Sequence, residues 1–416
     1  MRNKILLISL SRESTGEVRF WVTATKLLQK NKDMVTLITN PRFKDLFSDF
    51  PGTLSFYDFF SKNAWPGLFS HIKSIISQFK KIVLLDITSA TLENNLSCNE
   101  LNRIIEDLEK TGCKVSLFDV MAVIEKSQDI YNNRLKSTET KLQLFINDYV
   151  SHKSHSTSQF SYYFSRFLKR RTINQLLIVP DNIEIIRTTP YTYKKENDQS
   201  TYLRCNFEKI NVNNNSSKKI ILGFSKFADR VVSKDALSDL LSHVVIKMKK
   251  LIGIEKIVLI NPVGIDVDEI GEKECIKIEN YNRIERKTLL KEMESAYFVA
   301  FFIPTASVGI TAIQNGIPFI SLYSSKFSSQ YITHKKTEEF IPRFTSLGIW
   351  EDAAFSDYLK EDDNHYFNTV EFIDISDESQ FIDLNTKLGT GKIAEKIKAF
   401  NNINCSVKPF SEFVES

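Results

Sequence analysis

The chain has 416 residues, of which 42% are hydrophobic and 25% charged, and its 55 basic residues are nearly balanced by 51 acidic ones. This length suits two domains of about 200 residues each. The near balance of charge gives no argument for nucleic acid or a membrane surface as a partner. The five cysteines are scattered without a CxxC pair or a Cys/His cluster, so neither a metal site nor a disulfide framework is indicated. Their odd number favours a reducing, cytoplasmic location, and no apolar run reaches membrane-spanning length.

The N-terminal half alternates short apolar runs with amphipathic helical patterns. Strands are predicted at residues 4–10, 34–40, 53–59, 81–87, 114–120 and 175–180, and helices at 18–30, 68–79, 99–110 and, with less signal, 121–172. Apolar runs of four to seven residues separated by helices are typical of a parallel sheet that is covered on both faces.

A composition change separates the two halves of the chain. Residues 193–219 are polar and end in an Asn- and Ser-rich stretch, which is typical of a linker. The alternation then restarts, with strands predicted at 219–224, 256–261, 275–280, 297–303 and 317–322 and helices at 233–250, 282–296 and 388–400. The sequence therefore predicts two doubly wound, Rossmann-like α/β domains, 1–200 and 201–416, that face a cleft, with the last helix crossing back. Ligands bind at the carboxyl ends of the strands in such sheets.

The segment TASVGITAIQNGIPFISL, which begins at Thr305, joins two apolar strands through a short helix. The N-terminus of a helix carries about half a positive charge and several unpaired N–H groups. The hydroxyls of Thr305, Ser307 and Thr311 add to this environment, and Gly309 would permit close backbone approach, so the segment is suited to an anion such as a diphosphate. The alternative is that these hydroxyls are ordinary helix caps. Gly316 is expected to end the helix in the left-handed conformation.

This strand–helix–strand segment resembles the donor-site motif of GT-B glycosyltransferases, and the order of elements matches that superfamily over most of residues 219–322. The resemblance implies a nucleotide-sugar donor site formed by Ser225, Asn280, Tyr281, Thr305, Ser307, Val308, Gly309 and Thr311. Many relatives place a glutamate, which often binds ribose, where this chain has Thr311, so a hydroxyl contact is expected instead. UDP-sugar 2-epimerases and some non-catalytic proteins share the fold.

The loop SRESTGEV follows the first strand and precedes the first helix. Its Gly-Glu pair resembles that of heptosyltransferase-like enzymes, in which the acid deprotonates the acceptor. The resemblance implies that Glu17 is the catalytic base and that Thr15 and Gly16 lie on the acceptor side. The alternative for Glu17 is a first-turn helix acid or a capping-box partner of Ser14.

Two further acids end predicted strands of the N-terminal half. Asp86 and Asp119 either contact the acceptor or cap turns, and the cap is the favoured interpretation. The basic run SRFLKRR at 165–171, with aromatic neighbours, suits an acidic acceptor or nucleic acid, although such a run is more often a solvated helix face. The six histidines show no catalytic spacing.

The resemblance predicts an inverting glycosyltransferase that uses a nucleotide sugar, with UDP as the expected nucleotide. No cofactor or metal is expected, because no DxD motif is present where a metal would bind. A small molecule, a peptide, a glycan and modified DNA all remain open as acceptors. The alternatives are an epimerase or hydrolase that acts on the same donor without an acceptor, and a non-catalytic module that binds the nucleotide sugar without turning it over.

Overall fold

A computed structural model describes the chain at residues 4–10, 16–26, 28, 32–58, 64–87, 98–119, 179, 182–188, 200–204, 208–213, 218–224, 234–260, 265–282, 284–302, 306–323 and 365–415. The described residues form two compact units. The first unit contains those up to 119, those from 179 to 204 and those from 404 onward, and the second contains those from 208 to 403. The chain therefore changes unit between residues 204 and 208.

The first unit is built on a parallel sheet of seven described strands. These are β1 Lys4–Ser9, β2 Val35–Thr39, β3 Thr53–Phe56, β4 Phe79–Leu85, β5 Lys114–Phe118, β6 Glu184–Thr188 and β7 Thr201–Leu203. Their order in the sheet is β3-β2-β1-β4-β5-β6-β7. The described helices of this unit are α1 Gly16–Lys26, α2 Ala64–Ile75 and α3 Cys98–Glu109, with short 3₁₀ turns at Lys32–Met34, Pro41–Phe43, Asp45–Phe47 and Ile76–Gln78.

The second unit repeats this plan with six described parallel strands. These are β8 Lys219–Gly223, β9 Lys256–Ile260, β10 Lys277–Tyr281, β11 Phe298–Phe301, β12 Phe319–Tyr323 and β13 Glu371–Asp374, in the order β10-β9-β8-β11-β12-β13. Its described helices are α4 Lys234–Lys247 with a π-helical extension Met248–Ile252, α5 Val267–Glu274, α6 Arg286–Met293, α7 Ser307–Gln314, α8 His365–Thr369, α9 Glu378–Gly389 and most of α10 Lys392–Ser406. Both sheets have the strand order of a doubly wound Rossmann fold, which confirms the predicted fold class.

Burial explains why the apolar runs form these sheets. Every residue of β2 is buried, although successive residues of a strand point to opposite faces. Both faces are therefore covered, as the continuous apolar pattern predicts.

The core of the first unit includes the C-terminal helix α11 Phe410–Glu415. Phe410 packs edge-on against Trp21 of α1, with the ring centroids 4.7 Å apart. The last residues of the chain thus fill a gap beside the first helix.

Three strands were not predicted from the sequence. β6 and β13 lie where the expected pattern was weak, and β7 lies inside the predicted linker. β7 has three residues and forms because it pairs with β6, with Leu203 fully buried. The helix predicted at 388–400 corresponds to α10 from Lys392 onward. Residues 388 and 389 are instead the end of α9, and Gly391, which has φ +75°, lies between the two helices.

Some sequence predictions fall outside the described residues. These are the helical pattern at 121–172, the basic run at 165–171 and nearly all of the strand at 175–180. Within the part that is described, no helix combines the length and the apolar character needed to cross a membrane.

Candidate functional site

Several predicted site residues follow strands that flank the switch point of each sheet. In this strand order the direction of winding reverses between β1 and β4 in the first sheet and between β8 and β11 in the second. Ligands bind outside the carboxyl ends of the strands at such a switch point. Glu17 and Asp86 come after β1 and β4, whereas Ser225 and Ser307 come after β8 and β11. The described residues Glu17, Asp86 and Ser307 therefore follow strands next to the two switch points.

Helix α7 begins at Ser307, and its N-cap residue is Ala306. Alanine has no side-chain acceptor, so no side chain caps this helix. The carbonyl of Ala306 accepts bonds from the N–H groups of Gly309 at 2.8 Å and Ile310 at 3.3 Å. The first N–H groups of a helix, here those of Ser307 and Val308, have no acceptor within the helix. Ser307 is exposed and Val308 is half-buried, so this end of the helix offers donors to a ligand.

Gly309 is required by the packing of the helix on the sheet. A Cβ atom at this position would lie 2.5 Å from the ring of Phe319 in β12. Real Cβ contacts are essentially never this short, so any larger residue would separate α7 from β12. Whether the glycine also admits a ligand remains a prediction. Gly316, with φ +81°, ends the helix in the left-handed conformation, as predicted.

Thr311 is fully buried, and its hydroxyl is held within the second unit. The hydroxyl donates to the carbonyl of Ser307 at 3.0 Å and accepts from Arg286 Nη2 at 3.0 Å. The same nitrogen of Arg286 bonds Glu208 Oε2 at 2.7 Å. The position at which a ribose contact was predicted is thus one end of a hydrogen-bonded chain that leads to a carboxylate.

Asn315 ties the segment at 208–213 to the same helix. Its amide donates to the carbonyls of Glu208 at 3.0 Å and Thr311 at 2.8 Å, and its side-chain oxygen accepts from the N–H of Ile210 at 2.9 Å. This described part of the predicted linker is therefore fixed to the second unit.

The other predicted donor residues follow or end strands of the second sheet in the sequence. Asn280 and Tyr281 are the last two residues of β10, where Asn280 is exposed and Tyr281 half-buried. Ser225 and Thr305 lie outside the described residues, next to the carboxyl ends of β8 and β11. The donor assignment of these residues remains a prediction.

On the acceptor side, α1 begins at Gly16, so Glu17 is the second residue of the helix. An acid in the first turn is stabilised by the helix macrodipole, which keeps the structural alternative open. Thr15 and the side chain of Glu17 lie outside what the structure describes.

Asp86 follows β4 and is fully buried, with a left-handed φ of +57°. Its Oδ2 accepts a hydrogen bond of 2.7 Å from the hydroxyl of Ser9 at the end of β1. A buried carboxylate is tolerated when hydrogen bonds satisfy it. The contact therefore fixes this acid at the switch point of the first sheet.

Asp119 follows β5, and its Oδ2 lies 3.8 Å from Arg187 Nε of β6. Both side chains are almost completely buried, so this pair is screened little by solvent. Ser9, Asp86, Asp119 and Arg187 form a buried polar group along four neighbouring strand ends.

The sequence identified Asp86, Asp119 and Thr311 but not the residues that pair with them across the fold. Arg187, Arg286 and Glu208 were missed because a pairing across tens of residues leaves no periodic signal. The apolar residues Ile183, Ile185 and Ile186 would have indicated the strand that carries Arg187. Among the described residues, no three His, Cys, Asp or Glu side chains converge to hold a metal ion.

No family model and no curated protein sequence matches this chain. Its structure is similar to that of three solved enzymes: the spinosyn forosaminyltransferase SpnP, with a TM-score of 0.53 and 10% identity, the kitacinnamycin glycotransferase, with 0.55 and 11%, and the calicheamicin glycosyltransferase CalG4, with 0.52 and 9%. Each similarity covers 100% of this chain, and 100%, 98% and 98% of the three enzymes respectively. At this identity the similarity shows the fold, and the chain has the two-sheet GT-B fold of these glycosyltransferases.

Proposed function

We propose that this protein is a glycosyltransferase that moves a sugar from a nucleotide sugar to an acceptor hydroxyl. The observation that carries the proposal is the start of α7, which has an alanine N-cap and an exposed Ser307 at the switch point of the second sheet. A diphosphate is favoured there by the free N–H groups and the positive end of the helix dipole. The GT-B fold supports the same assignment.

In the proposed donor site, backbone N–H groups and side-chain hydroxyls donate hydrogen bonds to the diphosphate. Ser307 and Val308 supply the N–H groups, and Ser225 and Thr305 add hydroxyls. These groups also stabilise the charge that develops on the leaving nucleoside diphosphate, without a metal. Thr311 acts indirectly, because its hydroxyl is turned to Arg286.

Two residues of the proposed donor site are assigned to the base of the nucleotide. Asn280 and Tyr281, at the end of β10, would contact it. The resemblance to UDP-sugar enzymes makes UDP the first nucleotide to test.

In the proposed reaction, Glu17 takes the proton of the acceptor hydroxyl while that oxygen attacks the anomeric carbon. The bond from the anomeric carbon to the diphosphate breaks, and the configuration of the sugar inverts. Thr15 and Gly16 would line the acceptor side of the first sheet, and the buried Asp86 and Asp119 would support it from within through Ser9 and Arg187. The acceptor is a small molecule, peptide, glycan or modified DNA, and we place the reaction in the cytoplasm, as the odd cysteine count favours.

The experiment is product analysis by mass spectrometry with UDP-, dTDP- and GDP-sugars, with and without acceptors of these classes. A glycosyltransferase forms product only when an acceptor is present. An altered or hydrolysed sugar in the absence of acceptor identifies an epimerase or hydrolase. Binding without turnover under any condition identifies a non-catalytic module.

The variant Glu17→Gln tests the catalytic assignment. The amide keeps the size of the side chain but cannot accept the proton, so turnover should fall by about 10²–10⁴-fold while donor affinity is retained. If Glu17 acts only as a first-turn acid, stability should instead fall by about 0.3–1 kcal/mol with normal turnover.

A further inference from the structure

A polar cavity lies at the opposite edge of the first sheet from Asp86 and Asp119. Its walls come from the amino-terminal ends of β4, β5, β6 and β7 and from the last residues of the chain. Four lysines line it: Lys80, Lys81, Lys114 and Lys408. The volume of about 310 Å³ is at the small end of the range for ligand sites.

Among the described residues that line this cavity, Glu184 supplies the one carboxylate, and donors already surround it. Its Oε2 lies 3.5 Å from the ammonium of Lys81 and 3.3 Å from that of Lys114. Oε2 also accepts a hydrogen bond from the hydroxyl of Ser116 at 2.6 Å, and Oε1 accepts one from the hydroxyl of Thr201 at 2.8 Å. One carboxylate cannot neutralise four ammonium groups, so the described lining of the cavity carries a net positive charge.

Lys81 is held rigidly in the wall of the cavity. Its side chain is only 9% exposed, and its ammonium lies 3.8 Å from the centroid of the Phe413 ring. Burial lowers the pKa of Lys81, and repulsion from Lys114 and Lys80 lowers it further, against the opposing effect of Glu184. The cation is therefore kept in place at a cost in free energy that an anion would offset.

We propose that this cavity binds a phosphoryl group, either as free phosphate or as a phosphate ester, at a site separate from the proposed donor site. Lysine ammonium groups bind phosphate as compact charges, and four lysines line this one cavity. The cavity lies at the amino-terminal ends of the strands, so it is distinct from the edge that carries Glu17.

A purely structural role explains only part of this arrangement. Lys81, Glu184 and Phe413 would together fasten α11 to the sheet, and Lys80 assists by donating to the carbonyl of Val414 at 3.1 Å. Among the described residues, however, no carboxylate lies within ion-pair distance of Lys80 or Lys408. Repulsion between these lysines opposes a purely structural role, whereas it suits an anion site.

The test uses calorimetry on the full chain with inorganic phosphate and, separately, glycerol 3-phosphate. At least one probe should bind, and the double variant Lys114→Met/Lys408→Met should weaken that binding by about tenfold or more. Tighter binding of glycerol 3-phosphate would identify an ester, and tighter binding of phosphate the free ion. Lys110→Met is the matched control, because Lys110 is an exposed lysine of the same unit that does not line the cavity.

Amine acetylation followed by mass spectrometry locates the site. The bound probe should slow the labelling of Lys114, which is 56% exposed, and leave that of Lys110 unchanged.

The melting temperature of the double variant should be no lower than that of the natural chain, because Glu184 keeps its contacts with Lys81, Ser116 and Thr201. Unprotected Lys114, or a double variant that binds both probes like the natural chain, would overturn the proposal.

Discussion

Arg286 donates a hydrogen bond of 3.0 Å to the buried hydroxyl of Thr311, and the same nitrogen holds Glu208 at 2.7 Å. Three segments of the second unit, including α6 and α7, therefore meet at one guanidinium. The structure assigns the Thr311 hydroxyl a positioning role, because the side chain has no exposed surface.

This role predicts the behaviour of Thr311→Val, which keeps the shape of the side chain but removes both hydrogen bonds of the hydroxyl. The free energy of unfolding should fall by about 1–2 kcal/mol. Affinity for UDP should change by less than about threefold. Thr311→Ser, which keeps the hydroxyl, is the control for the hydrogen bonds. A tenfold loss of UDP affinity in Thr311→Val without loss of stability would show direct contact with the donor instead.

Gly309→Ala should destabilise the second unit, because the new methyl group would meet the ring of Phe319 at 2.5 Å. Overpacking of this kind costs about 1–3 kcal/mol, measurable by chemical denaturation. Adding Phe319→Leu should make the two changes non-additive, since the smaller side chain makes room. The control is Gly389→Ala in α9, where a Cβ meets nothing within 4 Å and no loss is expected. Equal effects of the two alanines would refute the packing explanation.

Glu371 should make the stability of the second unit depend on acidity. Burial acts to raise the pKa of Glu371, but hydrogen bonds from Lys387 and Lys396 outweigh it and hold the pKa below its usual value of 4.5. The stabilisation is therefore complete above about pH 4.5 and is lost as the pH falls through the lowered pKa of the folded state.

The variant Glu371→Gln should lower the free energy of unfolding by about 1–3 kcal/mol at neutral pH, and the difference should shrink in acid. Asp383→Asn is the matched control, because Asp383 also pairs with Lys387 but its side chain is 60% exposed. An exposed pair of this type contributes about 0–1 kcal/mol. A gap between Glu371→Gln and the natural chain that widens in acid would contradict the assignment.

Phe410→Ala should destabilise the first unit although only six residues follow it in this sequence. The ring packs against Trp21 and is almost fully buried, so its removal should cost about 3 kcal/mol in chemical denaturation. Glu412→Ala, at an exposed position of the same helix, should stay within about 0.5 kcal/mol of the natural chain. A Phe410→Ala variant as stable as Glu412→Ala would mean that α11 is not part of this core.

The fold could be predicted because buried parallel strands leave continuous apolar runs in the sequence. Residues 4–10 and 81–87 are such runs, and they correspond to β1 and β4. β7 could not be predicted in this way, because three residues carry no period and form a strand only beside β6. The C-terminal helix α11 is also too short for its pattern to reveal that it packs on Trp21.

The sequence could predict which positions belong to the candidate site, but it could not predict which side chains contact one another there. Asp86, Asp119 and Ser307 were identified because they follow strands, and the topology places them at the carboxyl edges of the two sheets. The reason for Gly309 lies in the ring of Phe319, which a sequence pattern does not identify as a neighbour. Likewise, Arg286 and Thr311 are 25 residues apart, so only the fold brings them together.

The central claim is that the start of α7 binds a nucleoside diphosphate, and the most direct measurement is the calorimetric affinity of Ser307→Asp and Ser307→Asn for UDP and UDP-sugars. The two variants have the same shape and differ in charge, and an aspartate in the first turn should not weaken the helix. We expect Ser307→Asp to bind at least about tenfold more weakly, on the order of 1.4 kcal/mol, and Ser307→Asn to stay within about threefold of the natural chain. Equal affinity of the two folded variants, or no nucleotide binding by the natural chain, would contradict the account.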